Sequence, residues 1–192
     1  MKEVKPDGAA LRYWPTWLSE DEQVWWWRWL EENPWQQYTL RLFGRAVPQP
    51  RLSLWYGDHA YRYSGLMLPS TPWPEPLARL RDRVSLATGY AFNSVLLNLY
   101  RDGSDSIGWH SDDEPELGPT PAVATVTLGE CRPLLLRRVS DHSCREARWL
   151  QPGSLLLMAP GVQSQWQHSL PKTRRSVGPR ISLTFRLLHP GR

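Results

Sequence analysis

The sequence predicts a β-rich α+β fold, a β sandwich or barrel backed by two helices in its N-terminal half. Three observations carry this expectation. Two amphipathic, capped helical segments lie before residue 90. From Ser94 onward the chain breaks into short strand-like runs. Pro 18 and Gly 13 among 192 residues supply the turns that many short strands need.

The elements follow in order. Residues 1–12 read as a polar, flexible start. Ser19 and Glu22 form a capping box, each side chain satisfying a backbone N–H of the first turn. The helix they open runs to Glu32. Asn33-Pro34 ends it, because a residue before proline is pushed out of the helical region. Trp25, Trp26, Trp29 and Leu30 form its apolar face, expected to be buried against a sheet. Residues 38–68 read as short strands and loops.

Pro74 to Ala87 reads as the second helix, with Leu77, Leu80, Val84 and Ala87 at i, i+3, i+7 and i+10. Gly89 is its stop signal. Strands are expected at Ser94–Tyr100, Ala122–Leu128, Leu134–Arg138, Ala147–Leu150, Ser154–Met158 and Ile181–Leu187. There is no internal repeat, long linker or low-complexity segment.

One domain accommodates this length with ample room for a single core. The hydrophobic fraction of 41% and charged fraction of 22% are those of an ordinary globular protein. No apolar run approaches the length of a membrane span. Met1 to Gly8 has no apolar segment behind its charges, so no secretory signal is expected. A cytoplasmic, membrane-free setting follows. Cys131 and Cys144 lack metal-ligand spacing, and a disulfide is not expected in a reducing compartment.

The formal charge is +4, and all but Lys2, Lys5 and Lys172 of the 23 basic residues are arginine. Arginine suits phosphate recognition through paired donors. A GC-rich coding bias would produce the same excess. The 12 tryptophans lie mostly in the N-terminal half and read as core.

His110-Ser111-Asp112 and the later His168 bring a more specific signal. Two imidazoles and one carboxylate can occupy one face of an iron octahedron and leave positions open for a co-substrate and dioxygen. In a strand, His110 and Asp112 would share a face, and the third ligand would come from elsewhere. Alone, an H-x-D pair is weak evidence, because short His/Asp pairs are common and usually sit in solvated loops. In the last strand Ile181, Leu183, Phe185 and Leu187 alternate with Arg180, Ser182, Thr184 and Arg186. The polar set is either a solvated face or an anion-binding face inside a barrel, where a small dicarboxylate would meet the two guanidiniums.

Together, Asn98-Leu99-Tyr100, His110-x-Asp112, His168 and Arg180-x-Ser182-Leu183-Thr184-Phe185-Arg186 resemble the AlkB family of Fe(II)- and 2-oxoglutarate-dependent nucleic-acid demethylases. The likeness is greatest to the branch that repairs alkylated double-stranded DNA and to its bacterial counterparts. Phe43-Gly44, Tyr56-Gly57-Asp58, Tyr61-x-Tyr63-Ser64-Gly65, Tyr100-x-Asp102-Gly103 and His168-Ser169-Leu170-Pro171 extend it from about residue 40 to the C-terminus. One departure is Ser182, where the family's last strand usually carries Asn.

The resemblance implies a double-stranded β-helix, or jelly roll, in a single domain over residues 13–192, with a nucleotide-recognition lid at about 38–68. It implies iron ligands His110, Asp112 and His168. It implies 2-oxoglutarate contacts from Asn98, Tyr100, Arg180, Ser182, Thr184 and Arg186. Arg180 would hold the far carboxylate and Arg186 the end nearer the metal. Phe43, Gly44 and Arg45 would form a hairpin tip, with Phe43 entering the gap left by a flipped base and Arg45 meeting phosphate. Tyr61 and Tyr63 would hold the target base, Tyr63 opposite His110, and Asp113 would contact its exocyclic amine. Glu114 is left open. His59, His142 and His189 match no ligand position and are expected at the surface.

The implied activity is oxidative removal of N-linked methyl groups, as on N1-methyladenine and N3-methylcytosine, with dioxygen consumed and succinate and formaldehyde released. The implied partner is alkylated DNA, double-stranded with activity on single strands, or else RNA, acted on by a monomer. An RNA or protein demethylase on the same scaffold is the alternative enzyme. A non-catalytic nucleic-acid-binding module is the alternative of another class.

Overall fold

Ser19 caps helix α1 (Glu20–Glu31) by the reciprocal pair the sequence requires. Its hydroxyl accepts the Glu22 N–H at 3.2 Å, and the Glu22 carboxylate accepts the Ser19 N–H at 2.8 Å. The computed structural model describes residues 2–4, 10–42, 45–63 and 66–189. Helix α2 (Glu75–Thr88) starts behind Pro74 and stops at Gly89, whose φ of 80° belongs to the left-handed region that glycine enters without steric cost.

Strands are labelled in chain order. The larger sheet has seven, in the order β1 (Lys2–Val4), β2 (Leu11–Trp14), β13 (Leu155–Met158), β10 (Val123–Gly129), β15 (Arg180–Arg186), β8 (Ser94–Tyr100) and β5 (Leu52–Gly57). The smaller sheet has four, in the order β12 (Arg145–Leu150), β11 (Arg132–Arg138), β14 (Trp166–Leu170) and β9 (Ile107–His110). Each neighbouring pair is antiparallel. A short helix, α3 (Val162–Gln165), leads into β14. Two hairpins stand apart: β3 (Thr39–Leu42) with β4 (Arg45–Pro48), and β6 (Tyr61–Tyr63) with β7 (Leu66–Leu68). This is the jelly roll backed by two helices that the sequence led us to expect.

Alternation along β15 explains how the layers assemble. Ile181, Leu183 and Phe185 join Trp26, Leu30, Leu77, Leu80 and Val84 in one buried cluster, so α1 and α2 cover this face of the larger sheet. Each such aliphatic or aromatic side chain contributes about 1.5–3 kcal/mol when removed from water. Arg180, Ser182, Thr184 and Arg186 point the other way and line a cavity between the sheets. All seven residues of β15 are buried. The solvated-face reading of its polar side is therefore excluded. A second cluster, including Leu11, Leu136, Leu150, Met158 and Trp166, also bridges the two sheets.

Three expectations need correction. The start of the chain is not wholly a flexible arm: Leu11 and Arg12 belong to β2, which pairs with β13, and Lys2–Val4 pairs with β2 in turn. Leu11 is buried in the second cluster, which ties this strand down. Trp25 is not buried against the sheet but is 49% exposed. It sits one residue off the buried face that Trp26 and Leu30 define, and stacks on Trp29 with centroids 6.3 Å apart. The H-x-D pair is not a same-face strand pair, because β9 ends at His110 and Asp112 lies beyond it. Among the described residues no helix is long and apolar enough to cross a membrane. Cys131 and Cys144 are both free thiols.

Candidate active site

The metal triad is assembled by strand register and by a turn held from outside. His110 and His168 face each other across β9 and β14 as antiparallel partners, with ring centroids 4.2 Å apart. His110 Nδ1 lies 2.9 Å from the Gly108 carbonyl oxygen, to which it donates in the tautomer that leaves Nε2 free for a metal. Asp112 is brought in by segment 163–166. Gln163 Oε1 accepts the Asp112 N–H at 2.9 Å, and the Ser111 hydroxyl donates to the Trp166 carbonyl at 3.1 Å. One ligand atom from each of His110, Asp112 and His168 falls within 4.8 Å of the others.

The protonation states suit a cation. Burial of His168, with His110 beside it, pushes its pKa down to about 3. Burial also lowers His110 below the ordinary imidazole value. For Asp112, burial pushes upward, but Arg186 and the two imidazoles outweigh it and hold the carboxyl at about 2. At neutral pH the triad is two neutral imidazoles and one carboxylate, the forms that bind a metal without first losing protons. Asp112 Oδ1 accepts from Arg186 Nη2 at 2.8 Å. Its Oδ2 is buried with no hydrogen-bond partner among the described residues. A buried carboxylate oxygen left in that state is costly unless a ligand completes it. The donor set and this orphaned atom fit iron.

The opposite end of the cavity is built for an anion. Arg180 is buried, donates from Nη2 to the Thr127 hydroxyl at 3.1 Å, and stands 5.5 Å from the centroid of the Tyr100 ring. Burial pushes its pKa down to about 10, which leaves it charged at neutral pH. No carboxylate among the described residues pairs with it, and its Nε has no partner. Arg186 also keeps Nε and Nη1 without a hydrogen-bond partner among the described residues, beyond its bond to Asp112. Asn98 and Ser182 are directly opposed on β8 and β15 and line the same cavity with Tyr100 and Thr184. The shorter Ser182 thus keeps its place on the cavity wall.

The expected substrate contacts divide. Phe43 and Gly44 lie outside the described residues, as does the side chain of Tyr63, which ends β6. Arg45 is exposed at the start of β4. Tyr61 offers no open ring face. It is fully buried, stacked on Trp55 with centroids 5.0 Å apart, and packed beside Leu68 and Leu96. The expectation that its ring holds a base is corrected; only its hydroxyl, which interacts with Glu114, is directed toward the site. Glu114, left open by the sequence, is half-buried, and burial raises its pKa. Asp113 is exposed and lines an open groove with His110, Glu114, Trp109, Arg51 and Gln49. His59 and His189 are half-buried and His142 is exposed, away from the triad.

Sequence reasoning missed Arg51, Ser53, Gln163 and Thr127. Each acts across at least 45 residues of chain. The alternation Arg51-x-Ser53 at the head of β5 was the one available signal.

A jelly roll enclosing two histidines, one carboxylate and an anion pocket defines a non-haem iron oxygenase of the 2-oxoglutarate-dependent kind. The comparisons agree. Residues 10–186 match the family model described as the 2OG-Fe(II) oxygenase superfamily, and the chain belongs to that family. Over 160 residues it is 42% identical to "DNA oxidative demethylase ALKBH2" of Mus musculus, covering 79% of this chain and 67% of the relative. It is 40% identical over 169 residues to "Alpha-ketoglutarate-dependent dioxygenase alkB homolog 3" of Homo sapiens, covering 83% of this chain and 59% of the relative. With the Homo sapiens ALKBH2 protein the identity is 41%, over 77% of this chain and 60% of the relative. The chain thus spans about three fifths of the length of the two human relatives. "The structure of OsALKBH1" superposes with a TM-score of 0.68 at 18% identity, covering 96% of this chain and 100% of that one, a likeness of fold alone. The AlkB resemblance and the dependence on Fe(II) and 2-oxoglutarate follow.

Proposed function

We propose that this chain is an oxidative DNA demethylase that removes methyl groups from ring nitrogens of alkylated bases. One observation carries the reading: a groove that opens on His110 and is lined by the acidic residues Asp113 and Glu114. Methylation at adenine N1 or cytosine N3 leaves the base positively charged and blocks its pairing edge. Two carboxylates at the mouth of the site suit a cationic base. The lost pairing makes such a base cheap to extract, since flipping costs a few kcal/mol and least for a damaged pair. The name "DNA oxidative demethylase" borne by the ALKBH2 relatives supports DNA as the substrate.

His110, Asp112 and His168 hold the iron. Asn98, Tyr100, Arg180 and Arg186 hold 2-oxoglutarate, with Ser182 and Thr184 on the cavity wall. Iron and 2-oxoglutarate supply the oxidising power, so that dioxygen is consumed, the methyl group is hydroxylated, and succinate, carbon dioxide and formaldehyde leave. The protein orients the parts and keeps the reaction inside a buried cavity. The hairpins within residues 38–68 form the nucleotide-recognition lid, with Arg45 on phosphate; the wedge expected of Phe43 and the base contact expected of the Tyr63 side chain fall outside the described residues. Apolar wedges are an established means of holding an opened stack. One chain supplies all three ligands and both arginines, so a monomer would carry a complete site.

The test is mass spectrometry of single- and double-stranded oligonucleotides carrying N1-methyladenine or N3-methylcytosine, incubated with Fe(II), ascorbate and 2-oxoglutarate. Methylated RNA and methylated peptide run beside them. Loss of the methyl group from DNA, dependent on iron and on 2-oxoglutarate, is expected. Turnover confined to RNA or peptide, or none at all, overturns the reading.

A further inference from the structure

We infer that Arg51, which belongs neither to the metal triad nor to the arginine strand, is a positioning residue for 2-oxoglutarate that acts through Asn98. The inference rests on the reading above that Asn98 contacts the co-substrate. A carboxamide has one accepting end and one donating end, and it can turn over about its last torsion. Arginine only donates, so the Asn98 atom that faces Arg51 must be the oxygen. Arg51 Nε reaches Asn98 Oδ1 at 3.1 Å, and the Ser53 hydroxyl reaches the same oxygen at 2.8 Å. With both donors on Oδ1, the amide nitrogen is the end left for a ligand. An acid's oxygens need that donating end. An amide turned the other way would set its carbonyl oxygen against an anion.

The supports are themselves fixed. Arg51 and Ser53 are both buried, at 5% and 1% exposure, and Ser53 stands directly opposite Asn98 in the β5–β8 register. Arg51 also donates from Nη1 to the Ser106 carbonyl at 3.2 Å, which anchors the guanidinium just before β9 begins. Arg51 lies on the wall of the outer groove with His110, whereas Asn98 lies on the wall of the inner cavity. A single side chain therefore joins the groove to the floor on which the co-substrate sits.

A double-mutant cycle tests this, because residues that act through one another are not additive. The chain is loaded with Mn(II) so that no turnover intervenes, and 2-oxoglutarate binding is followed by isothermal titration. Four proteins are compared: the parent, Arg51→Met, Asn98→Ala and the double variant. Arg51→Met is expected to weaken 2-oxoglutarate binding about tenfold, equivalent to about 1.4 kcal/mol, with Mn(II) affinity unchanged. In the Asn98→Ala background it is expected to have no further effect. An unchanged affinity in Arg51→Met overturns the inference and leaves Asn98's own role intact. The same loss in both backgrounds, or a parallel loss of Mn(II) affinity, also overturns it. An unchanged affinity in Asn98→Ala removes the parent reading and this inference together. If Arg51→Met does not fold, Ser53→Ala replaces it. Its loss should be about threefold, the scale of one neutral hydrogen bond. Persistence of that loss in the Asn98→Ala background overturns the inference.

Discussion

Replacing Arg180 with methionine should stabilise the ligand-free chain while destroying its capacity to bind 2-oxoglutarate. The guanidinium is buried at 3% exposure, with one hydroxyl acceptor, one aromatic ring and no carboxylate among the described residues. Burial pushes its pKa well below the usual guanidinium range, down to about 10. The folded state thus holds this proton less tightly than the unfolded state. Above pH about 10 the unfolded chain binds more protons, so stability rises with pH there, and below it the full cost of burial is present. Each unit is worth about 1.4 kcal/mol, so the charge costs the empty fold on the order of 3 kcal/mol at neutral pH. Methionine fills much of the volume and carries no charge. Part of the gain is offset by the lost Thr127 bond and ring contact, leaving about 1–2 kcal/mol net. For a domain of this size that is an increase in Tm of a few degrees, at about 2–4 °C per kcal/mol. Urea unfolding without ligand measures it directly. With Mn(II) present, 2-oxoglutarate should raise the Tm of the parent and leave that of Arg180→Met unmoved. Binding to the variant should weaken by roughly 30-fold or more, since removing one partner of a buried charge pair costs about 2–5 kcal/mol. A variant that is less stable than the parent and still responds to 2-oxoglutarate would refute the reasoning.

Three other outcomes are expected. Asp112→Ala should abolish demethylation and weaken metal binding, read by Co(II) absorption titration; full activity in that variant would remove the triad. Gln163→Leu leaves the Asp112 N–H buried and unpaired, which should cost about 1–3 kcal/mol of stability. It should also lower Mn(II) affinity by about 10–100-fold, the usual effect of losing a group that orients a metal ligand, and an unchanged Mn(II) titration would count against it. The metal-free chain should lose stability as pH falls from about 6.5 toward 3. Across that window the unfolded chain gains the proton that buried His168, at about 3, refuses. The Asp112 contribution is complete above the ordinary carboxyl value near 4 and is lost progressively as pH falls from there through about 2, adding to the loss at the acid end of this range. A pH-independent unfolding midpoint between pH 7 and 4 would contradict this.

Both helices, the alternating final strand and the three residues of the candidate metal triad were legible in the amino-acid order. The reason is range. Ser19 and Glu22 satisfy each other across one helical turn, Gly89 ends a helix by its own backbone freedom, and the two-residue period of β15 is a property of seven consecutive residues. Such features are decided by neighbours, so a local pattern suffices to read them. Other features depended on what packs across the molecule. Alternation could not say whether Arg180 and Arg186 face water or a cavity; the second sheet decides that by covering them. Trp25 and Trp26 are adjacent and chemically alike, and only the position of the sheet separates the exposed ring from the buried one. Spacing suggested that His110 and Asp112 share a strand face, yet the strand ends between them, and Gln163 fixes Asp112 from 51 residues away. Tyr61 carries the motif of a base-holding ring, but Trp55 covers that ring in the fold. The Arg51–Asn98 contact spans 47 residues and exists because β5 and β8 pair in one register. Sequence alone determined which chemical groups are present and the local shapes they favour. Tertiary structure decided which of them lose water together, and a buried charge or amide acquires its role only from the groups that replace that water.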